Sequence, residues 1–135
     1  MGAAETSSVT RSTLEAMRSH ARAEQPNECC GILLGEGGVI VEARPAANIH
    51  PSPQTRFAID PQALIDAHRT AREGGLQVLG YYHSHPIGGP HPSARDRQGA
   101  IGDGSVWAIV AGDTVGWWRD TPGGFVALSL ASISV

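Results

Sequence analysis

Gly80-Tyr81-Tyr82-His83-Ser84-His85-Pro86, with Ser93-Ala94-Arg95-Asp96 one loop further on, is the stretch around which the rest of the chain can be placed. The run Leu76 to Tyr82 is apolar and rich in residues that favour strands, and the two histidines close it. Residues i and i+2 of a strand project from one face, about 6.5–7 Å apart along the chain. Two imidazoles so placed can converge on one ion at Zn–N distances of roughly 2.0–2.1 Å. Pro86 cannot donate to a ladder, so it ends the strand. The loop Ile87-Gly88-Gly89-Pro90-His91-Pro92 turns the chain back, and Asp96 returns with a carboxylate oxygen. Two imidazoles and a carboxylate leave a fourth tetrahedral position for water, which marks a catalytic rather than a structural zinc site.

Each part of this pattern also has an ordinary reading. A lone His-x-His on a strand is more often solvated or hydrogen-bonded than metal-binding. Ser93-x-x-Asp96 has the form of a capping box, with Ser93 as N-cap of a helix through Arg97 and Ala100. Cap and site are compatible, since a carboxylate in a first helical turn can point back at a neighbouring strand. His91, between two prolines, reads as a solvated loop residue. Upstream, Glu28 precedes the near-continuous apolar run Cys29 to Leu34, which reads as a buried strand. A glutamate at the mouth of such a strand is, taken alone, usually solvated.

The two halves together are more specific. His83-Ser84-His85-Pro86 followed by Ser93 and Asp96 resembles the signature of the JAMM (MPN-plus) zinc metalloproteases, in their bacterial single-domain branch. The segment Pro26-Asn27-Glu28-Cys29-Cys30-Gly31 to Gly35 resembles the family's glutamate-bearing segment, and a looser match takes in Asn48, Phe57 to Pro61 and the strand with Trp107. The resemblance implies one Zn²⁺ per chain, held by His83, His85 and Asp96. It implies that Glu28 activates the metal's water as general base and then general acid, and that Ser93 helps stabilise the tetrahedral intermediate. It implies an α+β fold of three-layer α/β/α type, a mixed sheet packed by helices with a cytidine-deaminase-like core. The implied reaction is hydrolysis of the peptide or isopeptide bond after the Gly-Gly tail of a ubiquitin-like protein, in a bacterium a sulfur carrier. The proline-heavy loop around His91 departs from the pattern but keeps the ligand spacing. The competing classes are a non-catalytic MPN-type interaction scaffold, which would lack the ligands, and a zinc hydrolase of small amides. A zinc nucleoside deaminase would need His-x-Glu and Pro-Cys-x-x-Cys segments, and neither occurs.

Composition narrows the partners. With 135 residues, 41% of them hydrophobic, the chain can bury one domain's core, expected over 11–135 behind a disordered N-terminus at 1–10. All 10 basic residues are arginine, which excludes lysine chemistry. A formal charge of −3 without a basic stripe argues against nucleic acid. No apolar run is long enough for a membrane span, and no secretory signal is evident. Cys29 and Cys30 are adjacent, point to opposite faces of a strand and suit buried thiols in a reducing cytoplasm. A monomer or weak homodimer is expected.

In chain order, Ser12 and Glu15 suggest a capping box for a helix over Thr13 to Glu24, with Leu14, Met17 and Ala21 on one face and Pro26 beyond its end. Gly35-Glu36-Gly37-Gly38 turns the buried strand into a second one, Val39 to Ala43. A polar loop with His50, read as solvated, leads to a short strand at Arg56 to Ile59. Asp60-Pro61 starts a helix through Arg72, with His68 on its inner side. Val106 to Ala111, Thr114 to Arg119 and Phe125 to Leu130 complete the chain as strands.

Overall fold

A computed structural model describes residues 5–134. Its elements are β1 (Ser8–Thr10), α1 (Arg11–Glu24), β2 (Cys30–Glu36), β3 (Val39–Ala46), α2 (Pro61–Arg72), β4 (Gln77–Ser84), α3 (Ala94–Gly99), β5 (Val106–Ala111), β6 (Thr114–Thr121), β7 (Gly124–Leu128) and β8 (Ala131–Ile133). Among the described residues the strands form one mixed sheet in the order β7-β6-β5-β4-β2-β3-β1-β8. The histidine strand β4 is central, antiparallel to β2 and parallel to β5. Close approach of β4 and β5 depends on Gly80, where a Cβ would lie 1.8 Å from the Val106 carbonyl oxygen.

Strand alternation sends side chains to two separate cores. Leu33 of β2, Tyr82 of β4 and Val106, Ala108 and Val110 of β5 pack with Met17 and Ala21 of α1. Ile32 and Leu34 of β2 face the other way and meet Ala67 and Leu64 of α2, together with Tyr81. The result is the three-layer α/β/α arrangement of the α+β class. Burial of Met17, Leu33 or Tyr82 stabilises the fold by roughly 1.5–3 kcal/mol each. Because Tyr81 and His83 are two apart on β4, both project from the α2 face, and the histidine lies just beyond that smaller core.

Several local expectations are corrected. Of the N-terminal 1–10 expected to be disordered, residues 1–4 lie outside the described residues. Ser8–Thr10, however, form β1, held by parallel pairing with β3 and β8. The cap of α1 is Thr10 rather than Ser12. Its Oγ1 accepts from Thr13 N at 3.2 Å, because β1 runs straight into the helix. The strand expected at Arg56 to Ile59 shrinks to one bridge, Asn48 to Ile59, since the Asn48 side chain takes up the neighbouring backbone groups. His68 is exposed, because α2 buries Ala67 and the Leu64 side instead. The α2 start is as expected, with Asp60 accepting from Gln62 N at 3.1 Å and Pro61 in the first turn.

Candidate active site and metal centre

Two elements bring the three candidate ligands together. β4 carries His83 at its end and delivers His85 one residue beyond it. α3 begins at the N-cap Ser93, whose Oγ accepts from Asp96 N at 3.1 Å while Asp96 Oδ2 accepts from Ser93 N at 2.9 Å. This reciprocal cap fixes Asp96 with its carboxylate toward β4. Asp96 Oδ1 lies 2.9 Å from His83 Nε2, and Oδ2 lies 3.0 Å from His85 Nε2. The potential ligand atoms of His83, His85 and Asp96 all lie within 4.8 Å of one another.

The rings are held by their surroundings. His83 is fully buried, stacked on Phe57 at 4.3 Å and met edge-on by Trp107 at 5.7 Å. His85 Nδ1 donates to the Gly89 carbonyl at 2.8 Å. That carbonyl can only accept, so the ring proton sits on Nδ1 and, in the neutral ring, the Nε2 lone pair faces Asp96. The loop bearing Gly89 is itself docked on β6. Trp118 Nε1 donates to the Pro90 carbonyl at 3.0 Å, and Gly116 leaves room where a Cβ would be 2.1 Å from that oxygen. His91 is exposed and packs edge-on to Trp118, away from the cluster.

The donor set fits a divalent metal. His83 Nε2 is buried without a hydrogen-bond partner, although Asp96 Oδ1 is 2.9 Å away. With Nδ1 committed to Gly89, His85 Nε2 meets Asp96 as a donor when the ring is protonated and as a lone pair when it is neutral, and a divalent cation can take the place of that proton between the two. Burial lowers the His83 pKa, against the pull of Asp96, and so favours the neutral, ligating ring. Burial would also lower that of His85, but hydrogen bonds with Asp96 and Gly89 raise it overall. Burial alone would raise the Asp96 pKa, but the two histidines hold the carboxyl far below the usual carboxylate range. Two imidazoles and one carboxylate are a catalytic-type zinc set.

Glu28 stands across from this cluster. It is 7% exposed. Its backbone is clamped on both sides, with N donating to the Pro53 carbonyl at 2.7 Å and O accepting from Asn48 Nδ2 at 3.0 Å. Burial pushes its carboxyl up to about 7; His85 and Arg95 oppose the rise and Asp96 adds to it. Two cavities meet at Glu28. The larger, about 460 Å³, runs past Phe57, Ile59, Leu64, Tyr81 and Trp107. The smaller, about 390 Å³, is lined by His85, Pro86, Ser93, Arg95 and Thr55. Ser93 Oγ accepts in the cap but keeps its proton, so it can still donate into the smaller cavity. Of the expected candidates, Glu28, His85, Ser93 and Asp96 line one or both of these cavities and buried His83 lies behind them against Asp96, whereas His91 lines neither.

Sequence reasoning assigned no role to Asn48, Phe57 or Trp107. Asn48 uses all its capacity, donating to the Glu28 and Arg56 carbonyls and accepting from His50 N and Ala58 N, each at 3.0 or 3.1 Å. It ties the 48–58 loop over the site. No periodicity marks such a residue. His50, expected to be solvated, is half-buried and lines the larger cavity.

A mixed sheet in three layers, presenting two histidines and a carboxylate beside a buried glutamate, is the arrangement of a JAMM/MPN-type protein. The chain belongs to the family described as prokaryotic homologs of the JAB domain, whose model matches residues 10–121. It is 31% identical over 112 residues to the desampylase of Haloferax volcanii, covering 78% of this chain and 81% of that one. It is 42% identical over 88 residues to a probable TtuB-protein conjugate cleaving protease of Thermus thermophilus, covering 65% of this chain and 59% of that one. In structure it is similar to the solution structure of a protein from Desulfitobacterium hafniense, with a TM-score of 0.83 and 27% identity over 95% of this chain and 93% of that one.

Proposed function

We propose that the protein is a zinc-dependent metallopeptidase that hydrolyses the peptide or isopeptide bond after the Gly-Gly tail of a ubiquitin-like sulfur-carrier protein. The observation that carries this is the buried Glu28 carboxyl, raised to about 7 and set at the meeting of two cavities beside His83, His85 and Asp96. A carboxyl that changes protonation near neutral pH is suited to take a proton and give it back. The relatives named desampylase and TtuB-conjugate cleaving protease support the substrate class.

His83, His85 and Asp96 would hold one Zn²⁺ per chain. The ion would supply Lewis acidity, polarising the scissile carbonyl and making an attacking water more acidic. Glu28 takes the proton of the attacking water and then delivers it to the departing nitrogen. Ser93 donates its free hydroxyl proton toward the developing oxyanion, while the cap to Asp96 N holds its oxygen in place. Gly89 fixes the tautomer of His85 through Nδ1. Phe57 and Trp107 keep water away from His83.

On the same proposal, residues 11–135 act as one metallopeptidase domain. The protein works in the cytoplasm, where Cys29 and Cys30, both buried and free, stay reduced. It acts as a monomer or weak homodimer. Among the described residues no helix is long and apolar enough to cross a membrane. The test is Glu28→Gln. It should retain zinc and the fold but lose nearly all peptidase activity, because an amide cannot accept the water's proton. Turnover close to wild type would remove Glu28 as the base, and loss of zinc would make it a ligand instead.

A further inference from the structure

The two cavities flanking Glu28 differ in a way that bears on what leaves the scissile bond. The larger has an apolar wall of Phe57, Ile59, Leu64, Tyr81 and Trp107, and room for several residues of an extended chain. That wall suits the acyl side, the tail that leads back to a folded carrier. The smaller cavity opens beside His85 and Ser93, on the rim formed by Pro86 and Ile87. With the acyl side along that wall, the smaller cavity is the place left for the departing amine.

Arg95 lines both cavities where they meet at Glu28; the larger also has Arg56, whereas in the smaller Arg95 is the permanent cation. It sits between Ser93 and Asp96 in sequence, so the cap that fixes the site also fixes its Cα. Among the described residues it forms no ion pair. The side-chain hydrogen bond it makes is long, from an Nη to the carbonyl of Thr55, another lining residue, at 3.4 Å. A guanidinium held this loosely keeps its planar fork available for a carboxylate. The leaving amine of an amino acid carries its α-carboxylate two bonds from the nitrogen. An amine from a lysine side chain begins instead with four methylenes and brings no charge to that place.

We propose that Arg95 binds the α-carboxylate of the leaving group. The site then favours Gly-Gly joined through a peptide bond to an amino acid with a free carboxylate over an isopeptide to a lysine side chain. This rests on the peptidase activity proposed above and adds its specificity on the amine side. Hydrolysis of this bond adds one water, leaves the carrier with its Gly-Gly carboxylate and frees the amino acid with its carboxylate unchanged.

The experiment uses two conjugates of one ubiquitin-like carrier ending in Gly-Gly, joined to alanine and to alaninamide. The second differs only in a capped, uncharged carboxyl. For the zinc-loaded wild type, kcat/KM should favour the alanine conjugate by roughly tenfold, the scale of one accessible charge-assisted pair. Most of the difference should lie in KM, since the contact is made before and during bond cleavage alike. Arg95→Gln should bring the ratio close to one, and Arg95→Lys should restore part of it. Equal values in the wild type, or a preference that survives Arg95→Gln, overturn the proposal while leaving the peptidase intact. Failure to cut either conjugate overturns both.

Discussion

Replacing Glu28 by glutamine in the metal-free protein should raise its stability increasingly from about pH 4.5 upward, with the full gain above about pH 7. The Glu28 carboxyl is pushed from 4.5 to about 7, chiefly by burial. Below 4.5 it is protonated in the folded and unfolded chain alike and has no effect on stability. Between 4.5 and 7 the unfolded chain ionises while the folded one keeps its proton, so stability falls as pH rises. Above 7 the cost is constant. At 1.36 kcal/mol per pH unit it is at most about 3 kcal/mol. Glu28 lines two cavities open to the surface, so screening by water reduces this to about 1–3 kcal/mol. Glutamine has nearly the same shape and no charge, and removes the cost. At roughly 4 °C per kcal/mol for a chain of this size, Tm at pH 8 should rise by about 4–12 °C over wild type in the presence of chelator. At pH 4 the two melting curves should converge. A difference that is flat across pH, or a wild type more stable than the variant at pH 8, would refute the idea of a carboxylate destabilised by its surroundings.

Two further predictions concern the ligands and the loop over them. His85→Ala should lose bound zinc by elemental analysis while remaining folded; undiminished zinc would remove His85 from the site. Asn48→Ala leaves four backbone groups without their partner and should cost about 2–4 kcal/mol in urea unfolding. A loss under about 0.5 kcal/mol would show that water replaces the amide freely.

The central strand and its histidines were legible because β4 combines an apolar run with a terminating proline. The Ser93–Asp96 cap was legible because its local pattern is short and reciprocal, and in the structure cap and site share the same atoms. The short strands β1 and β8 were not, since Ser8–Thr10 and Ala131–Ile133 are too short for alternation and are strands only through each other and β3. Ser12 with Glu15 is a plausible cap in isolation. Thr10 prevails because parallel pairing of β1 places it at the point where the helix starts. The same limit hid the second layer of the site. Asn48 and Phe57 lie in a polar loop without periodicity, yet one clamps the Glu28 carbonyl and the other stacks on His83. Such roles depend on contacts between residues far apart in sequence, which no single window contains.

The most direct measurement of the proposed activity is the mass spectrum of products after incubation with a ubiquitin-like carrier joined through its Gly-Gly tail to an amine. Zinc-loaded protein should yield two new masses, the carrier ending in a free Gly-Gly carboxylate and the released amine. Protein stripped by chelator should yield neither until zinc is restored. An unchanged conjugate mass with zinc-loaded, folded protein, or the same products from the stripped protein, would contradict a zinc-dependent peptidase acting at this site.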